Sequence, residues 1–334
     1  MPKRQIEIAA PAGYMATLAA IGEQYESEDV YSETGEDERC LVRIICDTGK
    51  VQEIIDATHR AMERGTHWRL IILPVEAVVA PDSPEPEPVP EEPRFSFRGR
   101  TAAREEILQE VEKGAELDTD FVVLIALSAI VAAVGLISDN LAALIGAMVI
   151  APLLGPNLAF AFGVALGNPD MMRRAMTTNI AGLGFALFFS MLLGAALGGS
   201  FQSQEIVSRT FADYDSIALA LAAGAAAVLS LTTGLPSALV GVMVAVALLP
   251  PAVVTGLMVG SGNMAAAGGA GLLLAVNIVC INLAAQVVFV AKGILPRTWS
   301  EKQASRKAVA TNLAGWVFLL SGLGVAIYLA QYRV

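Results

Sequence analysis

The residues of this chain best placed to do chemistry are neutral. Asn157, Asn179, Thr255, Asn277 and Asn282 lie inside long apolar stretches, with Gln286 four residues beyond Asn282. Amide side chains donate and accept hydrogen bonds without carrying charge. Two of these positions follow proline pairs: Pro152, Gly155 and Pro156 precede Asn157, and Pro250 and Pro251 precede Thr255. Each proline removes a backbone donor and clashes with the carbonyl four residues earlier, so the spacing predicts a broken helix at both places. At membrane depth the freed backbone groups must face protein or a water-lined cavity. The new helix N-termini are predicted near Pro156-Asn157 and Pro251-Ala252, since proline fits a first helical turn. Their unpaired N–H groups and partial positive charge suit an anion or a polar solute. The expected substrate-binding residues are therefore Pro152, Gly155, Pro156, Asn157, Asn179, Pro250, Pro251, Thr255, Asn277 and Asn282. Asn, Ser and Thr in apolar helices also bond helix to helix. Asn157 and Thr255 stand out because each follows a break.

The classes that are missing narrow the chemistry. Ser216 to Ala291 contains no Asp, Glu, Lys, Arg or His, and Asp139 falls at a predicted turn. A buried carboxylate or histidine proton relay has no residues to build it. A Ser-His dyad or aspartate pair is equally unsupported, so no enzyme, metal or cofactor is expected. Eight acids and no base lie between Glu23 and Glu38, but without the EF-hand spacing and its central glycine. They are expected to form a solvated acidic loop. His59 and His67 have no ligand constellation around them. Cys40 and Cys46 share strand parity, and Cys280 lies in an apolar run. All three are expected as reduced, packed thiols.

The elements that must position the amides are membrane spans. The chain has 334 residues, 55% of them hydrophobic and 16% charged, with mean hydropathy +0.59. That is too apolar for a soluble domain of this size. Seven spans are predicted by the length rule, over about 119–137, 141–167, 175–199, 216–231, 238–261, 265–291 and 309–330. A shift of 95 residues places Leu144-Ile145-Gly146-Ala147-Met148-Val149 on Leu239-Val240-Gly241-Val242-Met243-Val244, and Gly167-Asn168 on Gly262-Asn263. With a three-residue slip Asn179 falls on Asn277. These matches predict an internal duplication of three spans each, 119–199 and 216–292, separated by an outer loop, 200–215. Three is odd, so the second copy must enter from the opposite face. The product is an inverted repeat with its broken spans near mid-depth, a plan used by secondary transporters. Region 293–334 holds a basic loop and the final span. Arg173, Arg174, Lys292, Arg297, Lys302, Arg306 and Lys307 all fall on the N-terminal side, which the positive-inside rule places in the cytoplasm. No signal-peptide core follows Met1-Pro2-Lys3-Arg4-Gln5. The expected location is the cell inner (plasma) membrane, multi-pass, with a cytoplasmic N-terminus.

Residues 1–120 hold 26 of the 32 acids and 13 of the 22 bases, which disfavours nucleic acid as a partner. Residues 1–80 alternate as β-α-β-β-α-β, predicting a ferredoxin-like α/β domain. Residues 81–100 form an acidic linker whose proline-rich run, Pro81 to Pro93, is a semi-rigid spacer of roughly 40 Å at about 3.1 Å per residue. Residues 101–120 form an amphipathic juxtamembrane helix. The fold class is thus an α-helical polytopic membrane protein with a cytosolic α/β domain.

Two runs carry a family resemblance. Ala132-Ala133-Val134-Gly135-Leu136-Ile137-Ser138-Asp139-Asn140 and Ile145-Gly146-Ala147-Met148-Val149-Ile150-Ala151-Pro152-Leu153-Leu154-Gly155-Pro156 resemble the signature of domain of unknown function family 389, prokaryotic hydrophobic membrane proteins without an assigned activity. The resemblance covers roughly residues 110–290 and implies an integral membrane protein, with no substrate or catalytic residue attached. From the residues themselves, the expected function is a transporter or channel for a small anionic or polar solute, regulated by the cytosolic domain. Its partners are the lipid bilayer, a small solute or ion, and further copies of the chain as a homo-oligomer. The rival expectation is a membrane-anchored ligand sensor or oligomeric scaffold.

Overall fold

A computed structural model describes residues 3–27, 29–35, 38–62, 67–75, 104–199, 201–233, 237–294 and 299–331. The chain divides into two units, Met1–Ile107 and Leu108–Val334.

In the first unit, alternation of branched apolar and polar residues makes strands. β1 (Lys3–Pro11) buries Ile6, Ile8 and Ala10, and β3 (Arg39–Asp47) buries Cys40, Val42, Ile44 and Cys46. α1 (Met15–Gln24) joins β1 to β2 (Asp29–Thr34), and α2 (Val51–Ala61) joins β3 to β4 (Arg69–Val75). The sheet runs β2-β3-β1-β4 with every neighbour antiparallel, the β-α-β-β-α-β arrangement expected. Its core sits between the sheet and the two helices, where Leu18, Ile54 and Ile55 meet the inward strand residues. The outward face is lined by Glu7, Arg43 and Glu33, paired at 3.1 and 3.3 Å, and by the exposed side chains of Tyr31, Ile71 and Leu73.

The acids between Glu23 and Glu38 do not form a single solvated loop. Asp29 and Glu33 lie on β2, Glu33 pairs with Arg43, and Glu26 meets Lys50 at 3.3 Å. The proline-rich linker, residues 81–100, lies outside the described residues.

α3 (Arg104–Gly114) carries the chain into a second unit that is almost wholly helical. Asp118 caps α4 (Thr119–Ile137) by accepting from the Phe121 N–H at 2.7 Å. Asn140 caps α5 (Leu141–Ile150). α6 (Leu154–Leu166) follows at a bend of 49°. α7 (Pro169–Leu197) and the short α8 (Gln204–Val207) complete the first half. α9 (Tyr214–Thr233), α10 (Ser237–Gly260), α11 (Met264–Ala291) and α12 (Trp299–Gln331) follow. Among the described residues α4, α7, α9, α11 and the Ser305–Leu329 part of α12 are long and apolar enough to cross a membrane, and the α5–α6 pair makes a sixth such element. The described apolar part of α10, Val244–Gly260, is shorter.

The 95-residue repeat is visible in cap geometry. Gly167 and Gly262 end their helices in the left-handed region, with φ of 65° and 82°. Asn168 and Asn263 then cap α7 and α11, each accepting from the N–H three residues on, at 3.1 and 3.2 Å. Glycine lets helices of the two halves touch. A Cβ on Gly256 would fall 2.6 Å from the Leu187 carbonyl, and one on Gly260 2.8 Å from the Ala195 nitrogen. α7 and α10 therefore pack backbone to backbone and run in the same direction. Gly194 shares this contact. Gly198, four residues on, instead serves as the C-cap of α7 at φ 45° with open space around it.

Candidate functional site

The first proline pair breaks its helix as expected, two residues early. α5 ends at Ile150, Ala151 and Pro152 form the bend, and α6 starts at Leu154. Pro156 is then the third residue of α6, where an N–H would have no helical acceptor in any case, so the proline costs the new helix little. Gly155 stands in the first turn against the backbone of Gly114 at the end of α3. A Cβ on Gly155 would lie 2.5 Å from the Gly114 carbonyl carbon and closer still to its oxygen. The Thr178 hydroxyl on α7 fixes the same chain by donating to the Ala115 carbonyl at 2.9 Å. The carbonyl end of one helix thus covers the N-terminal end of another, so the positive end of α6 already faces a negative partner.

The second proline pair does not break its helix, contrary to expectation. α10 continues through Pro250 and Pro251, and no new N-terminus arises at Pro251-Ala252. The two prolines leave the carbonyls of Val246 and Ala247 without their helical donors. Asn277 on α11 replaces one of them, its Nδ2 donating to the Ala247 carbonyl at 2.7 Å. A tertiary hydrogen bond thus supports the helix where proline would open it.

Asn157, one turn into α6, is the centre of a buried amide cluster. Its Nδ2 donates to the Leu153 carbonyl at 2.8 Å. Its Oδ1 accepts from Asn179 Nδ2 on α7 at 2.8 Å and from Asn282 Nδ2 on α11 at 3.0 Å. Asn282 Nδ2 also donates to the Ile278 carbonyl at 2.9 Å. Asn157 is 1% exposed, Asn282 2% and Asn179 7%, so three helices bring their amides together out of solvent. The network uses each Nδ2 but leaves Asn282 Oδ1 without a partner among the described residues, as are both amide atoms of Gln286 one turn on. Phe162 lies against Phe289 with ring centroids 5.3 Å apart. With Asn157 opposite Asn282, this contact sets α6 and α11 running in the same direction.

Of the ten residues expected at the site, Asn157, Asn179 and Asn282 meet directly, with Pro152, Gly155 and Pro156 forming the bend that positions Asn157. Pro250, Pro251 and Asn277 make a separate polar point on α10 and α11. Thr255 is not brought to either cluster by its hydroxyl, which donates to the Pro251 carbonyl of its own helix at 2.7 Å. Gly114 and Gln286 belong to the surroundings of the site and were outside the expected set. Gln286 was signalled by its four-residue spacing from Asn282; Gly114 had no local signal.

The signature residues around Asp139 have structural work. Asp139 adopts φ 51° at the α4–α5 turn, and its carboxylate accepts from the N–H groups of Gln204 and Glu205 at 3.2 and 2.9 Å, capping α8. No group of three or more metal-ligating side chains occurs among the described residues.

The profile described as Domain of unknown function (DUF389) matches residues 148–283, a stretch that includes Asn157, Asn179 and Asn282. An uncharacterized protein of Methanocaldococcus jannaschii is 34% identical over 286 residues, 86% of this chain and 87% of the relative. No solved structure matches the chain. The chain belongs to the DUF389 family of domains of unknown function.

Proposed function

We propose that this protein spans a membrane and moves a small polar solute through the region of the Asn157–Asn179–Asn282 cluster. The observation that carries the proposal is the burial of three asparagines, from three helices, at a helix break. Such a cluster orients a solute by neutral hydrogen bonds and demands no proton of its own. The parallel runs of α6 with α11 and of α7 with α10 fit two halves that enter the membrane from opposite faces. With α10 counted as a span, seven crossings result, and the basic residues Arg173, Arg174, Lys292, Arg306 and Lys307 favour a cytoplasmic N-terminus. The anionic alternative loses its support from the α6 N-terminus, which Gly114 covers, so an uncharged or cationic polar solute is favoured.

Purified full-length protein in liposomes, offered a panel of ions and small solutes, tests this reading. Flux of at least one solute is expected, and Asn157→Ala is expected to reduce it at least about tenfold, the loss of roughly one charge-free hydrogen-bonding partner or two. Absence of flux across the panel, or flux indifferent to Asn157, would contradict it.

A second reading has its own observation. Tyr31, Ile71 and Leu73 expose apolar surface on the open sheet face of the N-terminal unit, which favours binding of a ligand or of another copy by that unit.

A further inference from the structure

We infer that Asn277 and the carbonyls of Val246 and Ala247 form a site for a monovalent alkali cation. Pro250 and Pro251 have no N–H, so the two carbonyls four residues earlier have no donor within α10. Asn277 Nδ2 occupies one acceptor position on Ala247 at 2.7 Å. That same bond turns the other end of the amide, Oδ1, towards no hydrogen-bond partner among the described residues, although Asn277 is only 6% exposed. A buried acceptor without a donor is costly, and it belongs to an amide held on the Ala247 carbonyl, one of two neighbouring carbonyls that proline deprives of a helical donor. What fits such a group is a ligand that accepts electron density from several neutral oxygens.

The charge of that ligand follows from its surroundings. No Asp or Glu occurs from Ser216 to Ala291, so a divalent ion would lack the carboxylates it ordinarily takes. A monovalent cation needs only neutral oxygens, and the carbonyls that the two prolines deprive of a helical donor are of that kind. An anion would meet three acceptors and is excluded on the same grounds. The position also offers a route of influence. Asn277 and Asn282 are five residues apart on α11, about 7.5 Å along its axis. Ordering one of them by an ion biases the helix that carries the other into the Asn157 cluster. The site stands independently of permeation, since binding alone reveals it.

The test is thermal unfolding of the detergent-purified full-length protein in choline chloride, with lithium, sodium or potassium chloride substituted at constant ionic strength. One alkali cation is expected to raise the midpoint saturably, and sodium gluconate or potassium gluconate to do so equally, which assigns the effect to the cation. Asn277→Asp is expected to lower the half-saturating concentration at least about tenfold, because a charged oxygen then faces the ion. Asn277→Leu is expected to abolish the shift. Should that variant fail to fold, Pro250→Ala with Pro251→Ala returns both N–H donors to α10 and is expected to abolish it too. Identical unfolding in every salt, or a shift that survives the paired proline substitution, would overturn the site. Unfolding identical in every salt, beside flux that still depends on Asn157, would remove the ion site and leave the permeation reading standing.

Discussion

At the scale of single residues, position within a hydrogen-bond network decides what each polar group does. Asn157 both donates to the Leu153 carbonyl and receives two amides. Truncation to alanine strands buried donors on Asn179 and Asn282, so Asn157→Ala is expected to lower stability by about 2–4 kcal/mol, each orphaned group costing roughly 1–3 kcal/mol. Denaturant titration in mixed micelles measures it. Asn157 was legible in the sequence because it follows two prolines inside an apolar run. Asn277 was legible only as a buried amide. Its partner is a carbonyl 30 residues away, and no local pattern announces a tertiary bond of that kind. Cys46 gives a residue-scale test in the first unit. Burial, with Asp47 beside it, pushes its thiol from the ordinary value near 9 up to about 11, Lys50 pulling weakly the other way. The folded state therefore holds the proton more tightly than the unfolded one. Its contribution to stability is complete below about pH 9 and is lost as pH rises towards 11. Alkylation of Cys46 at pH 8 is expected to run at least about 100-fold slower than that of a free thiol, two pKa units being a hundredfold in thiolate and burial of the sulfur hindering the reagent as well.

At the scale of elements, the two proline pairs show that a motif does not fix its own outcome. In the first half the chain bends by 49° and restarts, because Gly155 allows the Gly114 backbone to press against the new helix. In the second half the same chemistry is absorbed inside α10, because α11 supplies an amide donor. Sequence alone gave the weak points of both helices; the neighbours decided which one opened. The glycines separate on the same principle. Gly155→Ala is expected to destabilise the protein by about 1–3 kcal/mol through overpacking. Gly146→Ala in α5, with nothing within 4 Å of the added carbon, is expected to be neutral or stabilising by up to about 1 kcal/mol, the difference in helix propensity. Equal effects at the two positions, measured by denaturant titration, would count against the Gly114 contact. The strands of the first unit were readable because alternating burial leaves a direct trace, and even β2, with acids on its open face, was legible as a short strand.

At the scale of the whole molecule, helix starts and caps recur at a spacing of 95 residues. Element after element recurs 95 residues on: α4 and α9 start at Thr119 and Tyr214, and α7 and α11 at Pro169 and Met264. The repeat was legible as weak identity, and its caps are reproduced with the same hydrogen bonds. The direction of the second copy was not legible from identity, and rests on which helices run side by side. Pairing of copies belongs to this scale as well. If the open sheet face joins two chains, Ile71→Glu with Leu73→Glu is expected to lower the particle mass in light scattering of the detergent-purified protein; an unchanged mass would assign any association to the helical unit.

The central claim is that solute reaches the Asn157–Asn179–Asn282 cluster, and water access measures it most directly. In a cysteine-free background, Asn282→Cys in sealed, oriented vesicles is challenged with a small membrane-impermeant thiol reagent from each side. Labelling from at least one side, slowed by the transported solute, is the expected result. A thiol inert from both sides, while a cysteine at the exposed position of Met264 reacts, would contradict it.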